Sequence, residues 1–238
     1  MKIRLDKYLA DMGKGTRSEV KKAIGKGLVR VNDEIVRKPE TKLDTDADRV
    51  LYDGESVGYA QFEYYMLNKP SGVISATEDK REKTVVDLIA DKKRKDLFPV
   101  GRLDRDTEGL LLISNDGELA HRLLSPSRHV DKVYYAKIEG TVTDADVEAF
   151  RQGIDIGVEK LTRPAKLKVL NSAERSEIEL TICEGKFHQV KRMFHAVGKE
   201  VVYLKRLQMG TLVLDESLNP GEYRKLTEQE IADLCFYQ

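Results

Sequence analysis

A chain of 238 residues that is 40% apolar and 34% charged, with no low-complexity tract, is longer than an ordinary single domain and has apolar mass for a sizeable core. That excludes a disordered or fibrous chain and points to two domains. Basic and acidic side chains balance at 41 each, but residues 1–42 hold twelve Lys/Arg against six Asp/Glu, so a polyanionic partner is not excluded by the neutral total.

The N-terminal "MKIRLDKYLADMGKG" interrupts every apolar run with charge, and no later segment approaches about 18 uncharged apolar residues, so the chain reads as cytoplasmic with no membrane partner. Leu5, Tyr8, Leu9 and Met12 then repeat at helical spacing, and Thr16 followed by Glu19 has the form of a capping box. Two short helices are predicted. The second carries Arg17, Lys21, Lys22 and Lys26, ends near Gly27 and gives way to alternating "LVRVNDEIV", whose Asn32-Asp33 suits a hairpin turn. This arrangement resembles the S4 RNA-binding domain over residues 1–58, which implies that the four basic residues contact RNA. The acidic, glycine-containing "DTDADRVLYDGESVG" marks the boundary with a second domain, residues 59–238.

Beyond the boundary, "FEYYMLNKPSGVIS" runs an apolar strand into Asn68-Lys69-Pro70 and a glycine turn, and "TVVDLIADKK" predicts a helix. Next, "GRLDRDTEGLLLISNDGELAHRLLSP" sets Asp104, Asp106, Glu108 and Asp116 around the apolar run Leu110 to Ile113. A strand at "KVYYAKIEG", a helix from Thr143 with Asp146 in box position, and strands "AKLKVL" and "SEIELTI" follow. The class is α+β: an S4-like module, then a domain with a mixed, largely antiparallel sheet flanked by helices.

At about 100° per residue, "EGKFHQVKRMFHAVGKEV" places Phe187, Val190, Phe194 and Val197 on one helix face and His188, Lys191, Arg192 and His195 on the other. Alone, such a basic stripe is usually a solvated face. The two histidines lack the spacing and the neighbouring ligands of a metal site, so no metal is expected. Cys183 and Cys235 have no partner at C-x-x-C spacing and read as buried, inert thiols.

Together, "YYMLNKPSGVIS", "GRLDRDTEGLLLISNDG", "KVYY" and "EGKFHQVKRMF" resemble, in order and approximate spacing, the RsuA-type pseudouridine synthases, over nearly the whole chain. The resemblance implies isomerisation of uridine to pseudouridine in ribosomal RNA, without cofactor or metal. It implies Asp104 as the catalytic carboxylate, nucleophile or base; Tyr134 as the ring that stacks on a flipped uracil; and Lys191 as the ion-pair partner of Asp104. Arg102 would fill the gap that the flipped base leaves, and Arg192 would add an RNA contact. Asp106 and Asp116 are read as turn formers or caps and Glu108 as exposed.

The S4-like module joined directly to the synthase domain, the absence of a basic extension after "LTEQEIADLCFYQ", and "MLNKP" and "KLTRPA" are similar to the member acting on 16S rRNA as a monomer, with a 23S rRNA synthase as the alternative. Two other classes remain. A glycosidase-like hydrolase would pair Asp104 with Asp106 or Glu108, although residues two apart on an extended segment point to opposite faces. A non-catalytic S4-type RNA-binding or ribosome-assembly factor would leave the intact set Asp104, Tyr134 and Lys191 without a purpose.

Overall fold

The capping box at Thr16 closes in both directions: Thr16 Oγ1 accepts from the Glu19 N–H, and the Glu19 carboxylate accepts from the Thr16 N–H. In the computed structural model, which describes residues 1–236, it starts α2 (Arg17–Gly25), after β1 (Lys2–Arg4) and α1 (Leu5–Asp11). The strands β2 (Val29–Val31) and β3 (Glu34–Ile35) form the hairpin, with Asn32 and Asp33 both at positive φ as a type I′ turn requires. β4 (Lys42–Asp44) pairs with β1, while β5 (Val50–Tyr52) and β6 (Glu55–Val57) extend the hairpin into a sheet of order β3-β2-β5-β6. Leu5, Tyr8, Leu9, Val20, Ile24 and Val29 fill the core between helices and strands. This unit runs to Glu63 rather than residue 58, and it takes in Ala90–Leu97 from later in the chain.

The other unit is built on β7 (Tyr64–Lys69), β8 (Phe98–Val100) and β9 (Glu108–Ser114), followed by α3 (Gly117–Leu124), β10 (Lys132–Glu139), α4 (Asp144–Gln152), β11 (Lys166–Asn171) and β12 (Arg175–Ile182). It continues through α5 (Gln189–Ala196), β13 (Glu200–Met209), β14 (Leu212–Val213), β15 (Tyr223–Lys225) and α6 (Glu228–Phe236). The described strands order as β11-β12-β10-β13-β9-β7-β15, with β14 beside β13 and β8 beside β9. Every pairing is antiparallel except β9 with β13. The sheet is therefore mixed and largely antiparallel, as expected. Burial alternates along β10, with Lys132, Tyr134, Ala136 and Ile138 inward.

Three expectations need correction. Residues 84–93 make a single 3-10 turn, Val86–Leu88, instead of a helix. Thr84 and Asp87 cap each other across it, but β-branched Val85 and Val86 are weak helix formers and the backbone turns extended at Ile89. Cys183 and Cys235 are half-buried rather than buried, and neither is in a disulfide. Glu108 is likewise half-buried, its carboxylate accepting from the Tyr203 hydroxyl at 2.7 Å. Among the described residues no helix is long and apolar enough to cross a membrane.

The parallel pair has one close crossing. Gly109, at φ +95°, lies opposite Arg206, and a Cβ there would stand 2.3 Å from the Arg206 carbonyl oxygen. Only glycine allows that approach. Gly109→Ala is expected to cost at least about 3 kcal/mol, from backbone strain plus the clash, read as a lowered midpoint in urea unfolding. A wild-type midpoint would refute this account of the crossing.

Candidate active site

Asp104 lies in the loop between β8 and β9, where the surrounding backbone groups are held by named donors. Ser75 Oγ accepts from the Leu103 N–H at 3.1 Å and donates to the Leu103 carbonyl at 2.8 Å. The Thr107 N–H donates to the Asp104 carbonyl, and the Gly72 N–H to that of Arg105. Beneath the loop, the fully buried Lys69 donates from Nζ to the carbonyls of Pro70 (3.1 Å), Arg105 (3.1 Å) and Thr107 (2.9 Å). Burial pushes the Lys69 ammonium down to about 8, against the pull of Asp106, Glu108 and Asp104. Asp104 is thus presented by a preorganised loop, its side chain about a quarter exposed.

The cations facing it come from α5. Val190, Met193 and Phe194 are buried, with the Phe194 ring 4.8 Å from Phe150. The helix starts later than the sequence pattern suggests, because His188 is left-handed at φ +49° and Gln189 folds back onto the preceding loop, accepting from the Lys186 N–H and donating to Glu184. Phe187 therefore leaves the apolar face. It is 72% exposed and stacks on the His188 ring at 3.8 Å. Lys191 keeps its expected side and reaches Asp104 Oδ2 at 3.5 Å, while His188 Nε2 stands 3.5 Å from Oδ1.

Lys191 has a closer partner in Asp106, whose two oxygens accept at 2.7 and 2.8 Å. Burial would raise the Asp106 carboxyl, but the Lys191 ammonium outweighs it and holds the group below the ordinary carboxylate range. Asp106 is thus a lysine clamp rather than a turn former. Asp116 is a cap, accepting from the Leu119 N–H at the start of α3. With Asp106 bound to Lys191 and Glu108 to Tyr203, neither is placed as the free second acid that a glycosidase needs.

Tyr134 from β10, Ile182 from β12 and Leu204 from β13 line the same cleft as Asp104, His188 and Lys191, with Arg102 at its edge. The Arg102 side chain is exposed and makes no ion pair among the described residues. Arg192 does not join them: its guanidinium donates to the carbonyls of Phe187 and Ile156, which fixes the chain around α5 instead of reaching outward. In the other unit, Arg17, Lys21 and Lys22 on α2 and Lys26 just after it are all exposed. The buried Asp6 draws in Arg4 (2.9 Å), Arg17 (3.7 Å) and Lys21 (3.9 Å). Among the described residues no group of three or more His, Cys, Asp or Glu is placed to hold a metal.

A carboxylate fixed by its loop, a lysine beside it and an aromatic ring inside a cleft suit chemistry on a planar base presented to the protein. The class follows from comparison with known proteins: the RNA pseudouridylate synthase profile matches residues 63–196, and the S4 domain profile matches residues 3–50. The chain belongs to the RNA pseudouridylate synthase family, and it is an isomerase with an S4 domain ahead of its catalytic domain. It is 49% identical over 231 residues to the uncharacterized RNA pseudouridine synthase YtzG of Bacillus subtilis, covering 96% of this chain and 97% of that one. It is 42% identical over 234 residues to ribosomal small subunit pseudouridine synthase A of Escherichia coli, covering 98% of this chain and all of that one. A crystal structure of a pseudouridylate synthase, 39% identical, matches with a TM-score of 0.69 over 98% of this chain and 99% of that one.

Sequence reading missed Lys69, Ser75 and His188 as parts of the site. Lys69 generates a pH prediction. Its folded value of about 8 lies below the ordinary 10.5, so the folded chain releases this proton first. The cost of burying the charge is full below pH 8 and is relieved as pH rises from 8 towards 10.5, so global stability gains from this group over that window. The loop loses order over the same window, because a neutral amine has two N–H donors for three carbonyls. Turnover is expected to fall as pH rises through about 8. Lys69→Met should lose roughly 3 kcal/mol of stability through unsatisfied carbonyls, start with low activity and show no such limb in its pH–rate profile. A wild-type limb in that variant would remove Lys69 from the explanation.

Proposed function

We propose that this enzyme isomerises uridine to pseudouridine in the 16S rRNA of the small ribosomal subunit, acting in the cytoplasm as a monomer. The observation that carries the reaction is Asp104 held at 3.5 Å from Lys191 in a cleft that Tyr134 also lines. Near-complete coverage of the E. coli small-subunit synthase supports the target. The S4 module, residues 1–58 in the sequence reading, holds RNA through Arg17, Lys21, Lys22 and Lys26, and the rest of the chain carries the chemistry.

The target base is stacked in RNA and must be turned out to meet Asp104, at a cost of a few kcal/mol. Tyr134 offers the flipped uracil a face to stack on, and Arg102, two residues from Asp104 and exposed, fills the gap left behind. The C1′–N1 bond then breaks, the uracil turns, C5 joins C1′ and the C5 proton is released while N1 gains one. No atom is added, so no water or cofactor enters the balance. The Asp104 carboxylate attacks C1′ or takes a ribose proton, and either role needs the carboxylate in its ionised form.

Asp104→Asn keeps size and removes nucleophilicity and charge. It is expected to fold and bind rRNA but form no pseudouridine. Asp106→Asn should slow turnover only a few-fold, since an ion pair with a 68% exposed partner contributes about 1 kcal/mol or less. Incubating each variant with unmodified 16S and 23S rRNA and mapping pseudouridine tests the reaction and the target together. Product from Asp104→Asn refutes the role of the carboxylate; product in 23S rRNA alone moves the target.

Stacking is tested separately. Tyr134→Phe should keep wild-type RNA affinity, whereas Tyr134→Ala should lose roughly 1–3 kcal/mol in a binding titration. Equal affinities for the two variants contradict the stacking role.

A further inference from the structure

We propose that Ala90–Leu97, together with the end of α1, forms a second RNA-backbone site, a cleft of about 480 Å³ that takes phosphates of the RNA substrate. The inference rests on the reading that the substrate is RNA. Five basic residues, Lys14, Lys92, Lys93, Arg94 and Lys95, line the cleft, and among the described residues no carboxylate does. Among the described residues none of Arg17, Lys21, Lys22 and Lys26 lines it, so its cations are additional to those expected of the S4 module.

Four consecutive cations repel one another, and such runs are commonly mobile tails. Here the run is fixed. The Glu63 carboxylate accepts from the backbone N–H groups of Lys93 (3.0 Å) and Arg94 (2.8 Å). Arg94 turns inward and is buried, donating to Asp96 at 2.8 and 2.5 Å and to the Ala60 carbonyl at 3.3 Å, with Asp11 at 3.4 Å and the Tyr59 ring beneath its guanidinium. Arg94 anchors the segment. Its neighbours Lys93 and Lys95 are solvent-accessible, and among the described residues neither forms an ion pair.

The opposite wall is shaped for close approach. Gly13 ends the turn after α1 at φ +73°, and a Cβ there would lie 3.2 Å from Lys95 Cε and 3.5 Å from the Lys93 carbonyl oxygen. A side chain at residue 13 would crowd the lysines that rim the cleft. Lys14 lies over the Tyr52 ring at 6.0 Å and pairs with the exposed Glu55 at 3.3 Å, a pair that a phosphate can displace. Four lysines thus line one hollow from two segments about eighty residues apart, a placement that suits a polyanion running across the surface.

The test uses the full chain with Lys93→Gln and Lys95→Gln together. Because both side chains reach solvent, thermal unfolding should match the wild type. Binding to in vitro transcribed 16S and 23S rRNA, titrated over a range of salt, is expected to weaken about tenfold, and the slope of log affinity against log salt should shrink by about 2. Pseudouridine formation at saturating RNA should be unchanged. The paired Lys93→Arg and Lys95→Arg variant keeps both charges and should keep the wild-type slope. Wild-type affinity and slope in the glutamine variant overturn the proposal, as does weaker binding with an unchanged slope. The slope is read from binding alone, so a wrong choice of target uridine does not alter what it says about the cleft.

Discussion

The ammonium of Lys69 is buried completely, and a lone charge in that position would be costly were it not for three carbonyl oxygens within 3.1 Å. Two of those carbonyls, from Arg105 and Thr107, belong to the loop that carries Asp104. The loop that presents Asp104 is therefore positioned by a group that is itself fully buried. The same loop runs into β9, where Gly109 lets the parallel crossing with β13 close and Leu110 to Ile113 enter the core. Loop, crossing and core form one structural chain, and each link fixes the next.

Charge around Asp104 is shared rather than paired. Lys191 stands nearer Asp106 than Asp104, so the Asp104 carboxylate keeps a cation close by without being locked to it. That division suits the task. A nucleophile or base held in a tight bidentate pair would lose freedom to move, whereas one 3.5 Å from its nearest lysine is not locked by it. His188, in its left-handed turn, stands 3.5 Å from the other oxygen.

How much of this was legible depended on the range of the interaction. Asp104, Tyr134 and Lys191 each sit in a short motif, and the capping box and hairpin at Thr16 and Asn32 depend on residues a few positions apart. Lys69 was visible only as part of a turn, because its partners are carbonyls up to 38 residues away that carry no side-chain signature. The arithmetic on α5 placed Lys191, Val190 and Phe194 correctly but failed at Phe187, since it assumed helix where His188 adopts a left-handed conformation. Arg192 was misread for a related reason: its angle around the helix was right, but the carbonyls of Ile156 and Phe187 that bind it come from outside the helix.

Residues 84–97 show the same limit on the scale of domains. The pattern "TVVDLIADKK" has the length and apolar spacing of a helix, yet the chain spends one turn burying Val85, Val86 and Ile89 in the catalytic unit and then delivers Ala90–Leu97 to the other. Two packing demands a few residues apart override local propensity: Ile89 is buried, and five residues on Arg94 is held by Asp11 and the Tyr59 ring. The S4 module is accordingly completed by chain that lies beyond its own sequence boundary. A linear motif ends that module near residue 50, and the cations at Lys93 and Lys95 become part of its surface only through the fold.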